Sequence, residues 1–300
     1  MEEALEELET EQANPRSVDL DRLSTEEVVR LINEEDATVA GAVRDALPAV
    51  ARAAELMAER LSHGGRVFYV GAGTSGRLGW LDAVEWVPTF GVEPGCVRVV
   101  VAGGIGAAVE ASSEVEDDAG LGASDLLAQQ PCARDVVVAI AASGRTPYVL
   151  GALRAGREAG CALIAVCNNP ASPMEALADV AVVVRTGPEV VAGSTRMKAG
   201  TAQKMVLNLM STATMVRLGK VYRNLMVDVR PLNRKLAAPA ARIVVQAAGV
   251  PLEAAERLLG QAGGNVKVAI VMARADCDAL EATERLKQAG GRLRVALGEE

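Results

Sequence analysis

The sequence predicts an α/β protein with a doubly wound, five-stranded parallel sheet, flanking helices and a small C-terminal helical domain. Short β-branched or apolar runs alternate with helix-length segments, and each run is apolar along its whole length. Strands of this kind are typical of a parallel sheet covered by helices on both faces. After Pro231 the pattern changes to short helical segments separated by turns that contain Gly and Asp.

The N-terminal region is predicted to contain an arm and two helices. Residues 1–20 are polar and include the breaker Asn14-Pro15, so we expect a loose arm unless a partner holds it. The first helix follows Ser24, which suits an N-cap, and its acidic first turn complements the helix dipole. Apolar spacing then predicts a second helix over residues 42–61, which Gly64-Gly65 ends.

Five strands and four further helices are predicted in the rest of the chain. The strands are Arg66–Val70, Val97–Ala102, Asp135–Ile140, Ala162–Val166 and Val180–Val184. The helices are one long helix from Thr201 to Gly219 and three short ones around Val250–Ala262, Asn265–Ala273 and Ala279–Gln288. We therefore expect an arm and helix over 1–45, a sheet domain over 46–230 and a helical domain over 231–300. Ligands of such sheets bind where loops leave the carboxyl ends of the strands.

Composition argues against several classes of function. A formal charge of −8 argues against a nucleic-acid partner, because binding to the phosphate backbone requires a dense face of Lys and Arg. An acidic segment 1–11 and the lack of a long uncharged apolar run predict neither a signal peptide nor a membrane span, so we expect a cytoplasmic protein. The five cysteines lack CxxC spacing and are expected to be reduced thiols. With His63 as the single histidine, we expect no His-ligated metal centre and no Ser-His-Asp triad. We also expect no cofactor.

The first predicted strand leads directly into a loop of glycines and hydroxyls, Gly71-Ala72-Gly73-Thr74-Ser75-Gly76. Such a loop before a helix points backbone N–H groups and hydroxyls at an anion. The spacing also satisfies G-x-G-x-x-G, but the second strand ends in Ala102-Gly103-Gly104, where a dinucleotide site would require an acidic residue. The loop therefore favours a phosphate over a dinucleotide.

Two more hydroxyl-bearing loops follow. The third strand leads into Ser143-Gly144-Arg145-Thr146-Pro147, whose hydroxyls either bind a phosphate or merely cap the next helix. The segment Gly193–Thr201 contains Ser194, Thr195 and two cations, Arg196 and Lys198, which either bind a ligand or a second subunit or are solvated charges. The loops after the first and third strands thus place hydroxyls at two strand ends of one sheet, which suits a single phosphomonoester.

Two carboxylates lie in contrasting local sequence. Glu85 is in a largely apolar stretch, where partial burial would raise the pKa of a carboxyl and suit it to proton transfer. Its local pattern alone favours an exposed helical glutamate. Glu116 lies in Ser113-Glu114-Val115-Glu116-Asp117-Asp118, which composition alone makes an exposed acidic face.

Several motifs together resemble the N-acetylmuramic acid 6-phosphate etherases over nearly the whole chain. They are Tyr69–Gly79, Ile140–Tyr148, Gly193–Lys204, Leu23–Glu26, Leu31–Asp36 and Asn224–Val229. The resemblance implies a sugar isomerase (SIS) domain with a hydroxyl-lined phosphate site and a ubiquitin-associated-like helical tail. It also implies a homodimer with the active site near the subunit interface.

The family's two functional glutamates correspond to Glu85 and Glu116. The resemblance implies elimination of lactate from a sugar phosphate. Our hypothesis is that Glu116 removes the C2 proton and that Glu85 protonates the departing lactate and then activates water. We expect the substrate to be bound by Gly73, Thr74, Ser75, Gly76, Ser143, Gly144, Arg145, Thr146, Ser194, Thr195 and Lys198. The sequence departs from the family pattern at Val84, Trp86-Val87 and Ala192, which affects the shape of the pocket but leaves both carboxylates in place.

Two other functions are compatible with the same scaffold. Sugar-phosphate-sensing regulators, such as the glucokinase regulatory protein, have two SIS domains in a longer chain, whereas this chain has room for one. Aldose–ketose isomerases also use a carboxylate base on this fold. The segment Gly193–Lys204 favours the etherase by resemblance.

Overall fold

The computed structural model describes residues 8–104, 106, 114–228 and 234–299. The helices and strands are α1 (Thr25–Asp36), α2 (Val39–Ser62), β1 (Val67–Gly71), α3 (Gly73–Phe90), β2 (Val97–Val101), α4 (Ala119–Leu127), β3 (Val136–Ile140), α5 (Pro147–Glu158), β4 (Ala162–Cys167), α6 (Pro173–Leu177), β5 (Val180–Val183), α7 (Lys198–Arg217), β6 (Val221–Tyr222), β7 (Leu225–Met226), α8 (Arg234–Ala248), α9 (Leu252–Gln261), α10 (Val266–Ala275), α11 (Ala279–Gln288) and α12 (Leu293–Ala296). Short 3₁₀ helices cover Leu20–Arg22 and Glu114–Asp117. None of the described helices is long and apolar enough to cross a membrane.

Five parallel strands form the central sheet in the order β2-β1-β3-β4-β5. In the register, Val70 lies opposite Val100 on one side and Ala139 on the other. The five predicted strands are confirmed, each to within one residue at either end. The carboxyl ends of the central strands β1 and β3 lie side by side, so the loops that follow them share one edge of the sheet.

Both faces of the sheet are covered, which explains why its strands are apolar throughout. On one face, Phe68, Val137 and Leu163 pack in a single core with side chains of α4 and α5. On the other face, Tyr69 and Ile140 lie against α3, where Gly79 lets the helix approach. Burial of both faces is the expected pattern for parallel strands.

The chain divides into two compact units. The first unit extends to Ala83 and continues over Gly95–Ser211; the second comprises Val84–Pro94 and the chain from Thr212 onward. The division differs from the predicted domain limits, 1–45, 46–230 and 231–300, which stay a prediction; residues 230 and 231 lie outside the described ranges. In the second unit, α9, α10 and α11 confirm the three predicted short helices, and α8 adds a fourth to their apolar core.

The N-terminal arm is held against the first unit, so the expectation of a loose arm is wrong for residues 8–20. Leu8 and Thr10 are buried. The side-chain amide of Asn169 donates to Thr10 Oγ1 at 2.9 Å. Asn14 Nδ2 donates to Glu35 at 2.9 Å. The polar composition of the arm did not reveal these partners because they are distant in sequence. Residues 1–7 lie outside the described ranges.

Helices α4 and α5 approach each other more closely than side chains would allow. A Cβ on Gly122 would lie 1.9 Å from the carbonyl oxygen of Tyr148, and a Cβ on Gly151 would lie 1.8 Å from that of Ala119. The Tyr148 hydroxyl donates to Asp125 at 2.7 Å across the same contact. Reciprocal glycines therefore fix the separation of the two helices, whose first turns adjoin the candidate site.

We expect Gly151→Ala to destabilise the protein by roughly 1–3 kcal/mol, because the new methyl group forces α4 and α5 apart. The matched control is Gly41→Ala in α2, where a Cβ meets no atom within 4 Å. Alanine there should be neutral or stabilise by about 0.5–1 kcal/mol through its higher helix propensity. Urea unfolding followed by circular dichroism measures both; equal effects would contradict the close-approach explanation.

Candidate functional site

A cavity of about 240 Å³ opens at the carboxyl ends of β1 and β3. It lies within the first unit, at the edge of the sheet where the sequence predicts a ligand. Its lining residues are Glu11, Ala72, Gly73, Thr74, Ser75, Glu116, Ala141, Ala142, Ser143, Thr146 and Thr195. Five separate segments thus contribute: the N-terminal arm, the two loops that follow β1 and β3, the 3₁₀ helix before α4, and the hydroxyl-rich segment before α7.

The loop after β1 places two hydroxyls and the first turn of α3 at the cavity. Thr74 Oγ1 accepts a hydrogen bond from the Arg77 guanidinium at 3.1 Å, which leaves the threonine hydrogen available to a ligand. Ser75 donates to Gln203 Oε1 at 2.9 Å, and Gln203 donates to Asn168 at 3.1 Å, so Ser75 is fixed by a network beneath the cavity. The free N–H groups at the start of α3 favour an anion.

The loop after β3 contributes hydroxyls that the following helix does not use. Thr146 occupies the N-cap position of α5, yet its side chain makes no capping hydrogen bond. Ser143 Oγ accepts from the backbone N–H of Arg145 at 3.1 Å, so it too retains a hydrogen to donate. The Nε of Arg145 is buried, with no hydrogen-bond partner among the described residues. The structure therefore contradicts the alternative that these two hydroxyls only cap α5.

Glu116 is a half-buried carboxylate in the wall of the cavity, in the 3₁₀ helix directly before α4. A Cβ on Gly73, whose φ is +50°, would lie 3.1 Å from Glu116 Oε1, so glycine at position 73 leaves room for this carboxylate. Burial raises the pKa of Glu116, the charge of Asp117 raises it further, and Arg77 opposes both. A carboxylate with a raised pKa is better suited to accept a proton near neutral pH.

Glu85 is exposed on α3 in the second unit, as its local pattern alone favours, and the residues that line the cavity do not include it. In the single chain, the Glu85 carboxylate is therefore not partly buried. Two large apolar side chains on the same helix, Leu81 and Val84, are 46% and 43% exposed. Residues 81, 84 and 85 are spaced to share one helix face. Glu85 therefore lies beside an exposed apolar patch.

The segment before α7 contributes Thr195 to the cavity, but it turns the predicted ligand Lys198 inward. Lys198 is 3% exposed, and its ammonium lies 2.6 Å from a carboxylate oxygen of the buried Glu35. The carboxylate of Glu189 accepts the backbone N–H groups of Lys198 and Ala199 at 2.9 Å each, which caps α7. The ammonium is thus committed to an internal ion pair.

The cavity brings together seven of the residues predicted from sequence: Gly73, Thr74, Ser75, Glu116, Ser143, Thr146 and Thr195. The others do not line it: Glu85, Gly76, Gly144, Arg145, Ser194 and Lys198. Gly76 packs against the second strand, where a Cβ would lie 2.8 Å from Val101. Gly144 has φ +66° and adjoins Ser172, so it shapes the turn. These two glycines support the loops.

Sequence reasoning missed Glu11, which the arm places in the cavity wall. No local signal distinguishes this glutamate from its acidic neighbours, because its place depends on contacts with residues far along the chain. The cavity thus holds two carboxylates, Glu11 and Glu116, and a set of hydroxyls. The described residues contain no group of three or more His, Cys, Asp or Glu positioned to hold a metal ion. Such a cavity can bind a small anion through hydroxyls and N–H groups and offers a carboxylate for proton transfer.

Two family models match the chain between residues 49 and 213. The glucokinase regulatory protein N-terminal SIS domain matches residues 49–157, and the SIS domain matches residues 119–213. A phosphoheptose isomerase structure from Francisella tularensis is 17% identical and superposes with a TM-score of 0.53, covering 65% of this chain and 100% of that chain. Another, from Neisseria gonorrhoeae, is 20% identical with a TM-score of 0.50, covering 64% and 98%. At such identities the structures show a shared fold.

Curated relatives match over almost the full length. An N-acetylmuramic acid 6-phosphate etherase from Mycolicibacterium smegmatis is 53% identical over 97% of this chain and 98% of its own. Etherases of the same name from Serratia proteamaculans and Symbiobacterium thermophilum are 53% and 56% identical; they cover 97% and 89% of this chain and 98% and 89% of their own. Likeness of this extent includes both compact units and the loops around the cavity.

Proposed function

The chain belongs to the N-acetylmuramic acid 6-phosphate etherase family, and we propose that its cavity holds the substrate phosphate while Glu116 and Glu85 transfer the protons. The protein is a carbon–oxygen lyase of amino-sugar catabolism. It cleaves the D-lactyl ether of N-acetylmuramic acid 6-phosphate to give N-acetylglucosamine 6-phosphate and D-lactate. The observation that carries the proposal is the meeting of a half-buried carboxylate and unoccupied loop hydroxyls in one cavity.

The reaction begins at C2 of the open-chain sugar. The C2 proton lies beside an aldehyde and is acidic enough for a carboxylate to remove, and we assign this step to Glu116. The electron pair left at C2 forms a double bond to C3 as the C3–O bond breaks, and the ether oxygen departs as lactate with a proton from Glu85. Glu85, now ionised, removes a proton from water as the water oxygen adds to C3. The proton that Glu116 holds returns to C2, which restores both carboxyl groups.

The phosphate is positioned by the hydroxyls of Thr74, Ser143, Thr146 and Thr195 and by the backbone N–H groups in the first turn of α3, which includes Ser75. The Ser75 hydroxyl itself donates to Gln203. Hydrogens available on Thr74 and Ser143, together with the N–H groups at the start of α3, suit the phosphate oxygens. Binding at the phosphate, remote from C2 and C3, fixes the orientation of the reacting atoms and lowers the entropic cost of the reaction.

Separate tests of the two carboxylates are possible because they act on different bonds. In deuterated water, Glu85→Ala should retain hydrogen exchange at C2, followed by NMR, while lactate release falls by about 10²–10⁴-fold. Glu116→Gln should lose exchange and release together. The control Glu55→Gln alters an exposed helical glutamate of α2 and should change neither. Intact elimination without exchange in Glu85→Ala would refute this assignment.

The pH dependence follows from the raised pKa of Glu116. Its carboxylate must be ionised to remove a proton, so kcat/KM falls as pH drops through this pKa. Asp117→Asn removes a charge that raises the pKa, which should move the acid limb to lower pH. Arg77→Met removes a charge that lowers the pKa, which should move the limb to higher pH. A plot of log kcat/KM against pH measures both; shifts in the same direction would contradict Glu116 as the base.

We propose further that the protein is a homodimer, with the exposed patch of Leu81 and Val84 in its interface. An exposed apolar patch on a helix is a common subunit contact. Association through this face would bury Glu85, which a catalytic acid requires, and would place the active site near the interface. We also assign the protein to the cytoplasm, because its cysteines are unpaired and its substrate is a sugar phosphate.

The dimer is tested by Leu81→Asp, which places a charge in the proposed interface. Light scattering should show the mass of the wild type halved, and lactate release should be lost with it. The matched control is Leu280→Asp in α11, because Leu280 is 81% exposed and lies outside the patch. It should change neither quantity. An unchanged mass for Leu81→Asp would contradict an interface at this face.

A further inference from the structure

Glu11 is a carboxylate in the cavity wall to which the proposed mechanism gives no role. The backbone around it is attached to the first unit at several points. The preceding Thr10 exchanges two hydrogen bonds with Asn169, at 2.9 and 3.4 Å. Before that, Glu9 forms an ion pair with Arg185. The position of Glu11 is therefore set by tertiary contacts close to it in the chain.

The attachment continues on the other side of Glu11. Asn14 and Arg16 both donate to the buried carboxylate of Glu35, at 2.9 and 2.8 Å. Glu35 is in turn paired with the ammonium of Lys198 at 2.6 Å. Its pKa is raised by burial, but hydrogen bonds from these three partners outweigh burial and leave it lowered. An ionised Glu35 thus anchors the arm to the start of α7.

The Glu11 side chain lies beside the segment that ends in Thr195. A Cβ on Gly193, whose φ is +72°, would lie 2.9 Å from Glu11 Oε2. An ionised carboxylate only accepts hydrogen bonds, and it repels a phosphate that the neighbouring hydroxyls attract. The partners it favours are neutral donors on the same ligand: sugar hydroxyls and the N–H of an acetamido group.

We propose that Glu11 is a specificity-determining residue of this cavity. It accepts a hydrogen bond from a hydroxyl or acetamido N–H of the sugar, and its charge weakens the binding of a phosphate that carries no such donor. The inference rests on the proposed function of the cavity as the site of the sugar phosphate. It predicts effects of opposite sign on two ligands, which a merely structural role for the arm would not produce.

Calorimetric titration of the full chain with N-acetylglucosamine 6-phosphate and with inorganic phosphate tests the proposal. Glu11→Ala should weaken the binding of the sugar phosphate by about tenfold, the loss expected for a hydrogen bond to a charged group. It should tighten the binding of inorganic phosphate by about 2–5-fold, the effect of removing one partly screened charge. Glu11→Gln keeps a hydrogen-bond acceptor. Its affinity for inorganic phosphate should therefore rise as in Glu11→Ala, while its affinity for the sugar phosphate should fall by less.

The matched control is Asp21→Asn, which removes one carboxylate charge from an exposed residue of the same N-terminal region, outside the cavity lining. It should leave both affinities within about twofold of wild type, as expected for a solvated surface charge. In turnover, Glu11→Ala should raise KM with little change in kcat. If Glu11→Ala weakened the binding of both ligands, or changed neither affinity, the role of Glu11 would be overturned while the proposed function stayed intact. A wild type that binds neither ligand would instead reject the phosphate site, and the inference with it.

Discussion

Gly122 and Gly151 bring α4 and α5 so close that a methyl group on either would overlap a backbone carbonyl of the other helix. The consequence extends beyond packing, because the segment before each helix contributes a residue to the cavity lining. Glu116 lies in the short 3₁₀ helix before α4, and Thr146 directly precedes α5. The distance between these two helices therefore fixes the distance between a carboxylate and a hydroxyl of the site. Close packing in a protein interior resists adjustment, so this geometry is set when the helices dock.

The two family glutamates occupy different environments, and the difference has a physical cause. Glu116 is half-buried beside Asp117, which raises its pKa and suits it to accept a proton. Glu85 is exposed on α3, next to an apolar patch that a second subunit could cover. In the proposed mechanism, the fold of one chain gives the base, Glu116, its half-buried environment, whereas the acid, Glu85, becomes buried only when the dimer forms. An incomplete site in the separate chain would keep elimination dependent on association.

Buried charge connects the N-terminal arm to the cavity. Glu35 pairs with Lys198 in the interior and also accepts hydrogen bonds from Asn14 and Arg16. Removing one member of such a network leaves a buried charge without compensation, which costs more than the pair contributes. The arm is thus bound by the same carboxylate that neutralises Lys198. Its attachment places Glu11 at the cavity, where a short polar segment becomes part of the wall.

The sequence by itself determined the five parallel strands, the three short helices of the second unit and the hydroxyl loops after β1 and β3. These features are encoded locally, through apolar runs and through glycine and hydroxyl residues at strand ends, so they can be recognised without knowledge of the fold. The likeness of several motifs to the etherases identified the family as well.

Only the tertiary structure decided which polar side chains face the cavity. Lys198 and Glu11 are both charged residues in polar segments, yet the first turns inward to Glu35 and the second lines the cavity. Glu116, in an acidic run that composition makes an exposed face, is half-buried. For Lys198 and Glu11 the neighbours that decide the environment, Glu35 and Gly193, are more than a hundred positions away, and local sequence carries no record of such contacts.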